Sequence, residues 1–361
     1  MTALPRNIID ADGHIAETME MIDEIAGYMP AEYGKTAEFT RSLGFFPPLD
    51  QWHIPSFVNR PNAFKPVGPE GWLDFADAGG IEKAALYPSR GLSYGWCTNI
   101  DYANALCRAY NDWIHDRWMK HSDRFIGIGL IPMQDSQLAI AELRRIVGLG
   151  FKGAMLPSTG LKNHLGASVH WPVYEEADRL GCMFALHGGA HSGMGLDSLN
   201  DFSGIHALGH PVGIATNFVG IVLNKVFDRF PNVRWGFLEG GIGWFLMALE
   251  RLDGSTENFM PYNPENRIFD RARTDESATD YVRRHTEEGR CYVGIEGEEP
   301  GIGLAIRLVG NKGLLFSSDF PHENSPEAIA HELEELFERP DLTAEDKQRI
   351  LRDNAVKFYR L

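Results

Sequence analysis

The chain has 361 residues, of which 43% are hydrophobic and 23% are charged, a composition typical of a globular protein with a large core. Its 34 basic and 50 acidic residues give a formal net charge of −16, which argues against nucleic-acid binding because such surfaces are basic. No apolar run approaches the roughly 18–20 residues of a transmembrane helix, and the first residues lack a secretory apolar region. We therefore expect a cytoplasmic protein with neither a nucleic-acid nor a membrane partner.

Eight short apolar segments, each bounded by glycine, proline or polar residues, predict eight strands. In chain order they read NIIDADGH, KAALYPS, FIGIGLIP, GAMLPS, CMFALHGG, RWGFLEGG, CYVGIEG and GLLFSSDFPH. Helical periodicity separates several of them: Asp135 can cap the helix before the fourth strand, and Gly181 can end the helix after it. Apolar strands that alternate with amphipathic helices imply parallel strands buried on both faces.

Eight such units predict an α/β fold of the (β/α)8 barrel type, formed by residues 1–361 as a single domain. The alternative is an open doubly wound sheet that binds a dinucleotide, in which a G-x-G-x-x-G fingerprint follows the first strand. The first strand of this chain ends in DADGH instead. The sequence therefore favours the barrel.

Most of the predicted strands end in ionisable residues, at the edge where a (β/α)8 barrel carries its active site. Asp12 and His14 end the first strand and share one of its faces, because successive side chains of a strand alternate. The later strands end at His187, Glu239, Glu296, Asp319 and His322. Two oxygens from Asp12 and Asp319 and two nitrogens from His14 and His187 form a ligand set that suits Zn²⁺, Fe²⁺ or Mn²⁺.

Several of these motifs together resemble the amidohydrolase-related branch of the amidohydrolase superfamily. They are DADGH, FIGIGLIPMQDSQLAIAELRRIVGLGFKGAMLP, LHGG, RFPNVRWGFLEGGIGW, SSDFPH and the ending ILRDNAVKFYRL. The resemblance implies a distorted TIM barrel whose metal is held by Asp12, His14, His187 and Asp319. It also implies that Asp319 can shuttle a proton beside the metal.

The sequence departs from the pattern of this branch at two positions. The fourth strand, GAMLPSTG, has no lysine that could become a carbamate bridge between two metals. The decarboxylases of the branch usually carry a histidine where this sequence has Glu239, which argues against a decarboxylase. Glu239 and Glu296 could instead complete a second metal site, since carboxylates bridge divalent ions. The alternative is that each caps a turn or pairs with an arginine such as Arg90.

We accordingly predict a metal-dependent hydrolase that cleaves an ester, thioester or amide bond of a bulky apolar organic acid derivative. Metal-activated hydroxide would be the nucleophile, with Asp319 and Glu239 as catalytic groups. The cofactor would be one divalent zinc, iron or manganese ion per chain, or two if Glu239 and Glu296 hold a second. The alternatives are a metal-dependent non-oxidative decarboxylase of an aromatic or enoic acid, and a ligand-binding barrel without turnover.

Residues 28–80, between the first two strands, are rich in aromatic residues and proline and predict an inserted cap. Trp72 is a candidate wall of an apolar pocket for a small-molecule substrate, and Arg60 and Arg90 are candidates to grip an anionic group. The aromatic residues could equally pack the cap onto the barrel or onto the second subunit of a homodimer.

Loops beyond the strands supply further candidates. His191 and His322 follow the fifth and eighth strands, and we predict that both contact substrate. The charged range 253–289 is weakly periodic and is predicted to form an excursion or a partly mobile lid.

Overall fold

All eight predicted segments form strands, and the third is divided in two. The computed structural model describes residues 7–33, 44–49, 66–196, 198–264, 276–322 and 325–361. The strands are β1 Ile8–Ile15, β2 Ile81–Pro88, β3 Phe125–Gly127, β4 Gly129–Leu130, β5 Gly153–Pro157, β6 Met183–His187, β7 Arg234–Leu238, β8 Cys291–Ile295 and β9 Leu314–Phe316.

Thirteen α-helices lie within the described ranges, most of them between successive strands. They are α1 Met19–Ala26, α2 Pro69–Gly79, α3 Ile100–Ile114, α4 Ser136–Gly148, α5 Trp171–Leu180, α6 Phe202–Leu223, α7 Val226–Arg229, α8 Gly243–Phe259, α9 Ala278–Glu287, α10 Ile302–Val309, α11 Pro326–Glu338, α12 Ala344–Gln348 and α13 Asn354–Tyr359. Asp135 caps α4 by accepting from the backbone N–H of Gln137 and Leu138, and Gly181 ends α5 in a left-handed conformation, as the sequence predicts.

Within each of two sheets the strands pair in parallel with their neighbours in chain order, as the predicted (β/α)8 barrel requires. One sheet contains β1, β2 and β3, and the other runs from β4 to β9. Two backbone hydrogen bonds connect β1 to the chain after β9: His14 N–H donates to the Phe320 carbonyl over 2.7 Å, and Asp319 N–H donates to the Asp12 carbonyl over 3.0 Å. The ends of the first and last strands are therefore held side by side.

The side chain of Asn111, on α3, explains why the third predicted strand is short. Its Oδ1 accepts from the Leu130 N–H and its Nδ2 donates to the Leu130 carbonyl, each over 2.8 Å. Gly127 and Gly129 flank the break, and a Cβ at either would collide with a side chain of the surrounding helices. The Asn111 side chain thus makes the two hydrogen bonds to Leu130 that the backbone of a neighbouring strand would otherwise make.

Two regions differ from the sequence expectations. The helix α6 is 22 residues long and apolar enough to cross a membrane by length and composition, although half of its most apolar stretch is buried inside the protein. In the range 253–289, α8 continues to Phe259 and α9 begins at Ala278. The described parts of that range are therefore mostly helical, while residues 265–275 lie outside the described ranges.

Trp72 does not line an open pocket, which corrects its predicted role in substrate binding. The side chain is fully buried, packs edge-on against Phe320 and donates its indole N–H to the His14 carbonyl over 2.9 Å. Gly13 lies beneath the ring, and a Cβ at this position would overlap it. Trp72 therefore supports the strand end that carries Asp12 and His14.

Replacing Gly13 with alanine should lower the free energy of unfolding by about 1–3 kcal/mol, because the added methyl group overpacks the Trp72 ring. Urea denaturation of the metal-free protein measures the change. Gly148→Ala is the matched control, since a Cβ there meets no atom within 4 Å. It should leave stability unchanged or raise it by up to about 1 kcal/mol. Equal stabilities of the two variants would contradict this account of Gly13.

Candidate metal centre

Four of the predicted metal ligands converge at the C-terminal ends of the strands. His187 Nε2 lies 3.1 Å from Asp12 Oδ1, and His14 Nε2 lies 3.6 Å from both Asp12 Oδ1 and Asp319 Oδ1. Ligand atoms of Asp12, His14 and His187 all lie within 4.8 Å of one another. The strands β1 and β6 and the turn after β9 thus bring two carboxylates and two imidazoles to one point.

The electrostatics of this point fit a divalent cation. Asp12, His14 and His187 are at most 1% exposed, and among the described residues Asp12 Oδ2 and His14 Nε2 have no hydrogen-bond partner. Burial raises the pKa of Asp12, and burial beside His322 and His187 lowers the pKa of His14 well below its usual value. Zinc, iron and manganese bind neutral imidazoles and carboxylates, and here a carboxylate oxygen and an imidazole nitrogen have no hydrogen-bond partner among the described residues.

Glu239 contacts the ring nitrogen of His187 that faces away from Asp12. Glu239 Oε2 is 3.1 Å from His187 Nδ1, and that nitrogen is also 2.8 Å from the Gly188 carbonyl. Both neighbours are acceptors, so they favour a proton on Nδ1 and leave the lone pair of Nε2, 3.1 Å from Asp12 Oδ1, available to a cation. Carboxylates in this position orient metal-binding histidines and fix their tautomer. A carboxylate oxygen of Glu239 also lies within 4.8 Å of ligand atoms of His14, Asp319 and His322.

Asp10 forms hydrogen bonds to two segments that carry metal-ligand candidates, β1 and the turn after β9. Its Oδ1 accepts from the N–H groups of Asp12 and Ser318 over 3.2 and 3.1 Å, and its Oδ2 accepts from the Ser318 hydroxyl over 2.6 Å. Complete burial raises the pKa of Asp10 to about 7, while the hydrogen bonds from Ser318 oppose this shift. Asp10 thereby connects β1 to the turn that presents Asp319.

A cavity of about 440 Å³ opens beside the cluster and has acidic walls. Its lining contains Asp319, Glu239, Glu296, Glu298, Glu332, Glu335, His206, His210 and His331. Glu296 is exposed to this cavity, whose walls shield it from bulk water; this desolvation, together with the neighbouring carboxylates, raises its pKa to about 8. Glu296 belongs to neither group of converging ligand atoms found in the described part of the chain, so the structure does not bring it into the metal cluster.

Among the described residues, the other predicted substrate contacts are absent from the cavity lining. His191 is buried behind His210, with a ring separation of 4.9 Å, and is absent from the cavity lining. Arg90 donates from Nε to the Glu17 carbonyl over 2.7 Å and is also absent from that lining. Arg60 lies outside the described residues. His322 contacts the cluster through Asp319 Oδ1, 2.7 Å from its Nδ1.

Two further residues lie next to the cluster, Ser89 and Glu17, and neither was predicted from the sequence. The Ser89 hydroxyl lies 2.6 Å from His322 Nε2, and the buried Glu17 carboxylate accepts from the N–H groups of Ser89 and Arg90 over 3.1 and 2.7 Å. Ser89 directly follows the second strand, so the rule that selected the other strand ends would have included it. Glu17 gave no comparable signal, because a single glutamate after a strand usually lies in solvent.

Fold and site together define a (β/α)8-barrel protein with a candidate metal centre at its C-terminal mouth. A family model described as "Amidohydrolase" matches residues 9–361. The chain therefore belongs to this family and is an enzyme of the amidohydrolase superfamily.

Several of the similar proteins are decarboxylases. The 2-amino-3-carboxymuconate-6-semialdehyde decarboxylase of Dictyostelium discoideum is 25% identical over 75% of this chain and 70% of its own length. The gamma-resorcylate decarboxylase of Rhodococcus jostii is 26% identical over 71% of this chain and 77% of its own length. A solved dihydroxybenzoic acid decarboxylase from Polaromonas, with bound manganese and the inhibitor 2-nitroresorcinol, aligns with a TM-score of 0.68, 21% identity and coverage of 99% of this chain and 97% of the other.

These relatives contradict the predicted hydrolase. The Dictyostelium and Rhodococcus decarboxylases match most of this chain, and their activity corresponds to the alternative function weighed from the sequence. The prediction failed because it treated the residue at the end of the sixth strand as decisive between the two reactions. In the structure Glu239 lies beside His187, a position that a one-metal centre accommodates as well as a two-metal centre.

Removing any one of the four converging ligands should weaken metal binding by at least about tenfold. We expect about one Mn²⁺ per chain in the wild type, and a large loss in each of Asp12→Ala, His14→Ala, His187→Ala and Asp319→Ala. Elemental analysis and chelator competition measure stoichiometry and affinity. Glu296→Gln serves as the control and should keep wild-type affinity. Unchanged metal content in all four alanine variants would refute the proposed centre.

Glu17 should make stability fall as the pH rises from about 4.5 to 7. Burial raises its pKa to about 7 from 4.5, so within this window the folded state holds a proton that the unfolded state has lost. The shift corresponds to about 3 kcal/mol that is lost above pH 7. Glu17→Gln removes this titration, so its stability relative to the wild type should increase across the window in metal-free protein. Glu70→Gln, at a side chain that is 82% exposed, is the control. A constant difference between wild type and Glu17→Gln would disprove the effect.

Proposed function

We propose that the chain is a metal-dependent non-oxidative decarboxylase of a small aromatic or enoic acid. Asp12, His14, His187 and Asp319 would hold one divalent ion. The relatives that cover most of the chain support this reaction, and manganese in the Polaromonas structure supports the choice of ion. The observation that carries the proposal is the position of Asp319, which belongs to the converging ligands and also lines the cavity.

Decarboxylation needs a place for the substrate carboxylate and a proton for the carbon that loses it. The ion, when bound, supplies a Lewis acid that holds the carboxylate and stabilises negative charge near it. Asp319 is 13% exposed and faces the cavity, so a carbon placed there lies within reach of its carboxyl group. Asp319 is therefore the proposed general acid.

The reaction balances without an oxidant or reductant. The bond between the substrate carbon and its carboxylate breaks, and the electron pair stays on the carbon. That carbon takes the proton from the Asp319 carboxyl group, carbon dioxide leaves, and Asp319 remains as a carboxylate that regains a proton from water. The other groups of the cluster keep their protonation, with His187 held through Nδ1 by Glu239 and the Gly188 carbonyl.

The cavity limits the size and the chemistry of the substrate. A volume of about 440 Å³ lies within the range of small-molecule sites and accommodates a single ring or a short enoic chain. Carboxylates of Glu239, Glu296 and Glu332 line it, so hydroxyl or amino groups on the substrate would find acceptors there. Gamma-resorcylate, the acid named for one relative, carries such hydroxyl groups and is the first compound to assay.

Manganese-loaded protein should release carbon dioxide from one or more acids in a panel of hydroxybenzoates, aminobenzoates and enoic acids labelled at the carboxyl carbon. In deuterium oxide the product should carry deuterium at the carbon that lost the carboxylate, because the proton comes from an exchangeable group. Mass spectrometry measures both products. Asp319→Asn should lower kcat by about 10²–10⁴-fold. Esters and thioesters of the same acids are the control, and their hydrolysis without any release of carbon dioxide would overturn the proposal.

A further inference from the structure

We infer that Ser89 and His322 are positioning residues that fix the carboxylate of Asp319 at the metal centre. Neither is among the four proposed ligands. A ring nitrogen of His322 lies within 4.8 Å of ligand atoms of His14, Glu239 and Asp319, but both of its nitrogens contact protein atoms, which favours a positioning role over ligation. The inference rests on the proposed role of Asp319 as a metal ligand but not on the decarboxylation reaction.

The first contact joins His322 to Asp319. Nδ1 of His322 lies 2.7 Å from Asp319 Oδ1, a short separation for a hydrogen bond. The same Asp319 oxygen lies 3.6 Å from His14 Nε2, on the side where the metal ligands converge. The imidazole of His322 also lies 4.2 Å from that of His14, with the planes inclined by 32°. His322 therefore determines how the metal-facing oxygen of Asp319 is directed.

The second contact joins His322 to Ser89. The Ser89 hydroxyl lies 2.6 Å from His322 Nε2, on the opposite side of the ring from Asp319. A hydroxyl proton given to Nε2 leaves the ring proton on Nδ1, where it is donated to Asp319. Both ring nitrogens are thus engaged by protein atoms in a Ser89–His322–Asp319 sequence. Ser89 selects the tautomer of His322 that can donate to the carboxylate.

Glu17 fixes the position of Ser89. Its Oε2 accepts from the N–H groups of Ser89 and Arg90, and the Arg90 side chain returns a bond from Nε to the Glu17 carbonyl. Glu17 and Ser89 are each 1% exposed, so the hydroxyl of Ser89 is held in a dry and well-packed position. Burying a carboxylate without hydrogen bonds would cost free energy, so the bonds to Glu17 both offset this cost and order the turn after β2.

Support of this kind matters because the backbone at Asp319 is constrained. Asp319 has a φ of +51°, a left-handed conformation in which few side chains other than glycine, asparagine and aspartate are common. The backbone determines where the Cβ lies but leaves the carboxylate free to rotate about its χ angles. The His322 Nδ1–H holds one oxygen toward the metal ligands, which leaves the other oxygen for the proton donation proposed above.

Manganese affinity of the purified full chain tests the inference without any substrate. His322→Phe preserves a ring but removes both nitrogens, and it should weaken Mn²⁺ binding by about 10–100-fold. His322→Asn can place an amide N–H near the position of Nδ1, so it should restore affinity to within about threefold of the wild type. Ser89→Ala should cause a smaller loss, of about threefold. Chelator competition measures these affinities.

Ser93→Ala is the matched control for Ser89→Ala. Ser93 is also buried and lies in the short 3-10 helix Arg90–Trp96 that directly follows Ser89, but its hydroxyl donates to the carbonyls of Arg90 and Pro47 and makes no bond to His322. Its Mn²⁺ affinity and its EPR spectrum should match the wild type, whereas the Mn²⁺ spectrum of His322→Phe should change. Thermal denaturation of each variant without metal should give a midpoint close to that of the wild type.

The outcomes separate this inference from the proposed function. If Asp319→Ala loses Mn²⁺ but His322→Phe binds it like the wild type, the positioning role is refuted and the metal centre stands. If His322→Asn is as weak as His322→Phe, donation to Asp319 is not the reason for the loss and the inference also fails. If Asp319→Ala itself keeps full affinity, the proposed metal centre fails.

Discussion

The structure depends on the burial of ionisable atoms that the described residues leave without hydrogen-bond partners. Asp12 and His14 are almost inaccessible to water, yet Asp12 Oδ2 and His14 Nε2 lack hydrogen-bond partners among the described residues. Each such atom destabilises the folded chain by about 1–3 kcal/mol. The surrounding structure is organised to keep them in place: Trp72 holds the carbonyl of His14, and Asp10 connects β1 to the turn after β9. A bound cation would turn this unfavourable arrangement into a stabilising one and would couple metal binding to folding.

Much of the fold could be predicted because the determining signals are local. Apolar runs located all eight strand segments, and the rule for barrel mouths selected Asp12, His14, His187 and Asp319 as neighbours. What could not be predicted depends on contacts between distant segments. The division of the third strand follows from the side chain of Asn111, 19 residues before Leu130, and no pattern within the strand reveals it.

The same limit explains the errors about individual site residues. An aromatic residue in an insertion, such as Trp72, has the same sequence signature whether it faces a ligand or the underside of a strand. Glu239 contacts His187 Nδ1 and also lies within 4.8 Å of ligand atoms of His14, Asp319 and His322, and no sequence pattern reveals that it meets both. The sequence gives the type of each side chain. Its role depends on which atoms of its neighbours it contacts, and these contacts are set by the packing of distant segments.

The left-handed backbone at Glu239 and Asp319, with φ values of +57° and +51°, restricts which residues the mouth of the barrel can acquire by mutation. Asparagine, aspartate, histidine and glycine tolerate this conformation, whereas valine, isoleucine and threonine are strongly disfavoured there. A proposed metal ligand, Asp319, and a position beside the ligands, Glu239, are therefore restricted in side chain by the backbone as well as by their chemistry. Histidine at position 239 is within that permitted set, so a change between carboxylate and imidazole at the end of β7 requires no change of the main chain. The backbone conformation thus limits which side chains can replace Glu239 and Asp319, and through them which reactions this mouth could acquire.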